Sequence, residues 1–258
     1  SYGSCSSTDP LKQDFNLQAD IPFTGYNAGD PTIKAKIEYR VYYAFAHTDK
    51  KVRKPIIIID GFDPGDKRKI EDCDCENIPS CAARNTTNGL YDAQKHRAMV
   101  DLMEYYDELG LKKELLEKLR SEGYDVIVVN QPTYETTNLQ NGQTVTIDGG
   151  AYYVESNAMA LIKLLQETKS LLNSSGSTNK IAIVAPSMAG QISKYALSYM
   201  EKKFEEETNP LEKPKWQHNT YLWISVDSPH LGSNIPMGDQ AMLYLLKSGG
   251  IDAAADFY

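Results

Sequence analysis

The chain has 258 residues, enough for one large domain or two small ones with a substantial core. Its composition is that of a globular protein, 41% hydrophobic and 24% charged, and no run nears the roughly 18 to 20 apolar residues that span a bilayer. The net charge of −8 argues against a nucleic-acid backbone or an anionic membrane surface as the main partner.

The chain opens "SYGSCSSTDP", without an initiator Met or an apolar signal segment, which suggests a processed or trimmed N-terminus. From Ile33 to His47 polar and apolar residues alternate, the pattern of an antiparallel strand pair. Four apolar, β-branched runs follow: Lys54 to Phe62, Tyr124 to Pro132, Lys180 to Ser187 and Thr220 to Pro229. Each is short, apolar on both faces and closed by Gly, Pro, Asp or Asn, which predicts buried parallel strands. Helical spacing fills the gaps. Leu111, Leu115, Leu116 and Leu119 share a face that Gly123 terminates; Val154, Ala158, Leu161, Ile162 and Leu165 share a second; Ile192, Tyr195, Ala196, Tyr199 and Met200 share a third. Alternating strands and helices predict βαβ units, a mostly parallel central sheet with helices on both faces. Residues 63–110 are long for a strand-to-helix connection and read as an insertion near the functional edge.

That insertion holds Cys73, Cys75 and Cys81 in a polar, turn-rich segment, and Cys5 completes an even count. Disulfides in an oxidising compartment are the favoured reading, with Cys73 or Cys75 bridged to Cys81. A metal site is the rival, but paired CxxC knuckles and a histidine at ligand spacing are both missing. The expected location is secreted, periplasmic or cell-surface. Asn85 and Asn173 lie in N-x-S/T sequons.

In an open parallel sheet, function gathers at the carboxyl ends of strands. Three strand ends carry unusual residues. "KIAIVAPSMAG" (180–190) places Ser187 between a strand and an amphipathic helix, with Ala185 and Ala189 at the positions that must be small in a nucleophile elbow. The alternative is an ordinary serine capping the helix. "IIIIDGFDPG" (56–65) ends the earliest core strand, where a loop supplies one oxyanion donor; Gly61 permits close approach, Phe62 offers its N–H, and Met188 offers the second. Asp-Gly and Pro-Gly are also plain turn dipeptides. The third end is "ISVDSPHLGSNIP" (224–236).

Three motifs carry a resemblance: Gly61-Phe62-Asp63-Pro64; Ala185-Pro186-Ser187-Met188-Ala189-Gly190; and Asp227-Ser228-Pro229-His230-Leu231-Gly232-Ser233-Asn234-Ile235-Pro236. They are similar to the G-F-D-P, G-P-S-M-G-G and D-S-P-H-x-G-A-N-I-P segments of lipase-like α/β-hydrolases, most closely secreted bacterial proteins of the Bacteroidetes type. The elbow departs from that pattern by two Gly-to-Ala changes. The resemblance runs from about residue 54 to 245 and implies the α/β-hydrolase fold, with a Ser-His-Asp/Glu mechanism and ester or lipid hydrolysis. It also implies a single domain over 1–258, the N-terminal portion of the fold, with a lid region starting at 237–258.

A serine needs a general base, normally a histidine held by a carboxylate, in chain order serine, acid, histidine. Only His218 and His230 follow Ser187. His218 enters a strand at its amino end, the wrong edge. His230 sits at the correct edge, where the resemblance implies a structural role at the base of the lid; with Gly61 it is a candidate substrate contact. Asp227 is a candidate triad acid or a carboxylate holding the Ser-Pro-His turn. The base is therefore expected beyond Tyr258, with the final strands in a C-terminal remainder of the same protein. The expected activity is serine-dependent cleavage of a small-molecule or lipid-like carboxylic ester, with no metal or organic cofactor. The rivals are amide hydrolysis, acyl transfer and an inactive binding module.

Overall fold

The computed structural model describes residues 9–71 and 98–232. In chain order they form strands β1 (Lys12–Gln18), β2 (Phe23–Thr24), β3 (Thr32–Ile33), β4 (Lys36–Tyr42), β5 (Pro55–Ile59), β6 (Glu104–Tyr106), β7 (Lys112–Glu114), β8 (Asp125–Asn130), β9 (Thr133–Thr137), β10 (Thr144–Asp148), β11 (Ile181–Pro186) and β12 (Thr220–Val226). The α-helices are α1 (Leu115–Ser121), α2 (Val154–Ser174) and α3 (Met188–Glu206).

Six strands make one sheet in the order β1-β4-β8-β5-β11-β12. β4 runs antiparallel to both its neighbours, and every other pair is parallel. Alternation along the strands divides the apolar side chains between two layers. Ile57, Ile59, Ile127, Val129, Ile181 and Ile183 join a core with Leu161, Leu165 and Leu172 of α2 and Ile192, Ala196 and Met200 of α3. On the opposite face Ile56, Val126, Val128 and Ala182 meet Leu116 of α1 and Met99 and Met103. The fold is thus α/β, a mostly parallel sheet with helices on both faces, as the residue pattern predicts.

Three expectations change. The alternating stretch 33–47 contributes one strand to the sheet, β4, and its antiparallel partner is β1 from residues 12–18. The helix predicted from Leu111 begins only at Leu115, because Lys112–Glu114 pairs with Glu104–Tyr106 as a hairpin. Leu111 is consequently exposed, while Leu116 is buried and Leu119 half-buried. Gly123, at φ 86°, follows the helix as its stop. Among the described residues β12 is an edge strand, and it is not buried on both faces: Tyr221, Leu222, Ile224 and Val226 are exposed.

The chain divides into two units, residues 1–228 and 229–258, a boundary that precedes the expected lid start at 237. All the strands and helices above belong to the first unit. The described part of the second is a turn in which the Gly232 N–H donates to the Pro229 carbonyl at 3.0 Å. Cys5, Cys73, Cys75, Cys81, Asn85 and the lid segment 237–258 lie outside the described residues, as does most of the 63–110 insertion.

Candidate active site

β11 ends at Pro186, and Ser187 turns the chain directly into α3. Ser187 holds φ 50°, ψ −128°, a backbone conformation that costs an L-residue on the order of 1–3 kcal/mol. It occupies the N-cap position of α3 yet makes no side-chain capping bond, and it is exposed. The capping alternative therefore does not account for it. Ala185 and Ala189 are both 0% exposed, so larger side chains on either side of the turn would have no room. Gly190 meets a second demand: a Cβ there would overlap the Ser228 hydroxyl and stand 2.7 Å from Ser225 Oγ. The glycine lets α3 approach β12. Met188 opens α3, where the first amides have no intrahelical acceptor and the helix dipole favours negative charge.

The loop after β5 passes beside this serine. A Cβ on Gly61 would lie 3.2 Å from Ser187 Cβ and 3.7 Å from its Oγ. The Asp60 N–H donates to the Val129 carbonyl at 3.0 Å, carrying the strand pairing up to the loop. Asp60 Oδ1 then accepts the Gly61 N–H at 2.8 Å. The Arg68 guanidinium reaches both Asp60 oxygens through Nε, at 2.9 and 3.1 Å, and its Nη2 donates to the Phe62 carbonyl at 3.2 Å. The Arg68 N–H donates to Asp63 Oδ2 at 2.6 Å, and the Asp63 N–H to the Gly150 carbonyl at 3.1 Å. Burial pushes the Asp60 carboxyl up to about 6, with Asp63 adding to the shift and Arg68 opposing it. A tight turn does occur here, but at 63–66, where the Asp66 N–H meets the Asp63 carbonyl. The loop at Gly61 and the turn are thus successive features. Phe62 is 37% exposed at this edge.

The third strand end adjoins the elbow directly. Pro186 and Val226 are register partners, and the Ser187 N–H donates to the Val226 carbonyl at 2.9 Å. Asp227 follows directly after β12, exposed and at φ 48°. The structure therefore brings Ser187, Gly61, Phe62, Met188 and Asp227 to one edge. His230 belongs to the second unit. His218 lies at the amino end of β12, its Nδ1 accepting the Thr220 N–H at 3.0 Å and its Nε2 facing Glu201 at 3.5 Å. His47 is also at the amino edge, 2.7 Å from Asp125, the first residue of β8. Sequence reading passed over Asp60 and Arg68 as a pair, although an acid at the end of a buried strand was a visible sign. Among the described residues, no cluster of three or more His, Cys, Asp or Glu is placed to hold a metal, and no helix is long and apolar enough to cross a membrane.

A family model described as "Putative serine esterase (DUF676)" matches residues 116–249, just over half of the chain and including the elbow. The chain belongs to this family. No curated protein matches it. Among solved structures it is similar to the peroxisomal α/β-hydrolase Lpx1 of Saccharomyces cerevisiae, with 11% identity, a TM-score of 0.39, and coverage of 90% of this chain and 51% of that one. A second is the rice cell wall degrading esterase LipA of Xanthomonas oryzae, with 14% identity, a TM-score of 0.38, and coverage of 93% and 52%. A third is the Saccharomyces cerevisiae prohormone-processing carboxypeptidase Kex1, with 14% identity, a TM-score of 0.38, and coverage of 84% and 39%. The chain spans about half the length of these structures or less.

Proposed function

We propose that this serine-esterase family member cleaves carboxylic esters through an acyl-enzyme on Ser187. The observation that carries this reading is the conformation of Ser187: exposed, uncapped, at φ 50°, ψ −128°, between two fully buried alanines. Backbone strain of this kind persists where the surroundings impose it, and it aims the hydroxyl out of the sheet edge. Ser187 Oγ attacks the ester carbonyl as a general base takes its proton, and the N–H groups of Phe62 and Met188 receive the charge that develops on the carbonyl oxygen. Each such donor lowers the barrier by roughly 3 kcal/mol. The tetrahedral adduct then expels the alcohol, which takes up that proton, and water releases the acyl group from Ser187 as the acid.

Asp227, directly after the strand beside the elbow, is the proposed acid. Of the histidines among the described residues of the first unit, His47 and His218 both stand at the amino edge of the sheet, away from Ser187, and neither is proposed as the base. Gly61 is the proposed substrate contact within the first unit, and the substrate is a small or lipid-like ester. An extracytoplasmic location is proposed on the cysteine count alone; peptide mapping under non-reducing conditions would report the bridges.

The test uses the full-length protein and a fluorophosphonate probe. Labelling is expected in the wild type and is expected to vanish in Ser187→Ala, with ester turnover falling by about 10⁴-fold or more. Turnover of anilides without turnover of the matching p-nitrophenyl esters would reject the esterase assignment. Absence of Ser187-dependent labelling would reject catalysis altogether.

A further inference from the structure

A carboxylate beside an oxyanion hole is a puzzle, because its charge opposes the charge the hole must receive. Asp60 is 5% exposed and immediately precedes the Gly61-Phe62 loop. What surrounds it resolves the difficulty. Asp60 Oδ1 accepts the Gly61 N–H, which orients the peptide between residues 60 and 61. Arg68 Nη2 donates to the Phe62 carbonyl, and the Asp63 N–H donates to the Gly150 carbonyl, which together orient the peptide between residues 62 and 63. The peptide between those two carries the Phe62 N–H, and both its neighbours are pinned. Arg68 is common to the arrangement: its side chain joins Asp60 to the Phe62 carbonyl, and its own N–H holds the Asp63 carboxylate.

We propose that Asp60 and Arg68 are positioning residues for the oxyanion hole: together they fix the peptides flanking the Phe62 N–H, and Arg68 offsets the Asp60 charge as the tetrahedral oxyanion forms. The inference rests on the serine-hydrolase reading above. A planar guanidinium suits the task because one group reaches a carboxylate and a carbonyl at once, which an ammonium does poorly. Displacing an oxyanion donor by a fraction of an ångström lowers turnover without weakening ground-state binding, since the contact matures only in the transition state.

The experiment compares full-length wild type with Asp60→Asn, Arg68→Gln and Arg68→Lys. Turnover of a short p-nitrophenyl ester is expressed per active site, counted by end-point fluorophosphonate titration so that misfolded protein is excluded. Asp60→Asn and Arg68→Gln are expected to lower kcat roughly tenfold to a hundredfold with KM within about twofold. Affinity for a trifluoromethyl ketone, which forms a tetrahedral oxyanion adduct, should fall by a similar factor. Arg68→Lys should resemble Arg68→Gln more than wild type. Full recovery by lysine would overturn the geometric clamp, as would kcat per site at the wild-type level in Asp60→Asn and Arg68→Gln. A wild type that labels while these variants behave normally rejects the clamp alone. A wild type that does not label rejects the hydrolase reading and the clamp with it.

Discussion

Each edge of the central sheet has a buried carboxylate, and the two are held very differently. Asp125 opens β8 at the amino edge, 0% exposed. It accepts the Ala44 N–H at 3.0 Å, the Arg53 N–H at 2.7 Å, the Lys54 N–H at 3.0 Å and the His47 ring nitrogen at 2.7 Å. It is an acceptor hub that ties the loop between β4 and β5 to the sheet. Asp60 follows β5 at the carboxyl edge with one backbone N–H and one guanidinium, and burial holds its carboxyl near 6. A carboxylate saturated with donors stabilises a fold; one left short of them is the exception that asks for a reason.

That contrast can be broken by substitution. Asp125→Ala leaves three backbone donors and a ring nitrogen without their acceptor, and a loss of about 4 kcal/mol is expected. Thermal unfolding should move down by on the order of 10 °C, while kcat per titrated site stays within about twofold. Equal damage to both would mean that the amino edge also shapes the site. Asp60→Asn should do the reverse. A carboxyl whose folded value lies above its unfolded one binds extra protons in the native state between pH 4 and 6, so its contribution to stability declines as pH rises through that window. A shift from 3.8 to about 6 corresponds to on the order of 3 kcal/mol. The asparagine variant escapes this loss, so its urea midpoint relative to wild type should climb between pH 4 and pH 8. A constant offset would show that the partners of Asp60 compensate for its burial. Gly61→Ala is the gentlest change. The new methyl meets Ser187 Cβ at 3.2 Å, so roughly 1 kcal/mol of stability and about tenfold in kcat should go. Crystals of that variant with a wild-type serine rotamer and full activity would show the loop has slack.

Much of this arrangement was legible in the residues. The isoleucine and valine runs marked β5, β8 and β11, since β-branched residues with turn signals at both ends have few other uses. Ala185 and Ala189, with a strand before Ser187 and an amphipathic helix after it, flagged the elbow. β1 escaped notice because "KQDFNLQ" places only Phe15 and Leu17 inward, a pattern too thin to separate from a loop. Lys112–Glu114 looked helical because its leucine neighbours have helical spacing, yet pairing with Glu104–Tyr106 overrides a local preference of that size. The Asp60–Arg68 clamp was out of reach for another reason. It joins residues eight apart through a loop path, and no periodicity encodes that. Sequence can locate a strand end, but not which side chain folds back to pin it.

The backbone of Ser187 has a consequence for engineering. Most exposed serines can be exchanged with little effect on folding, and glycine usually weakens the chain by adding freedom to its unfolded state. At φ 50°, ψ −128° the balance tips the other way, because glycine enters that conformation without steric cost. Ser187→Gly should therefore yield a protein that is harder to melt, by about 1 kcal/mol, and inert. A screen that selects for thermal resistance alone would discard the proposed nucleophile.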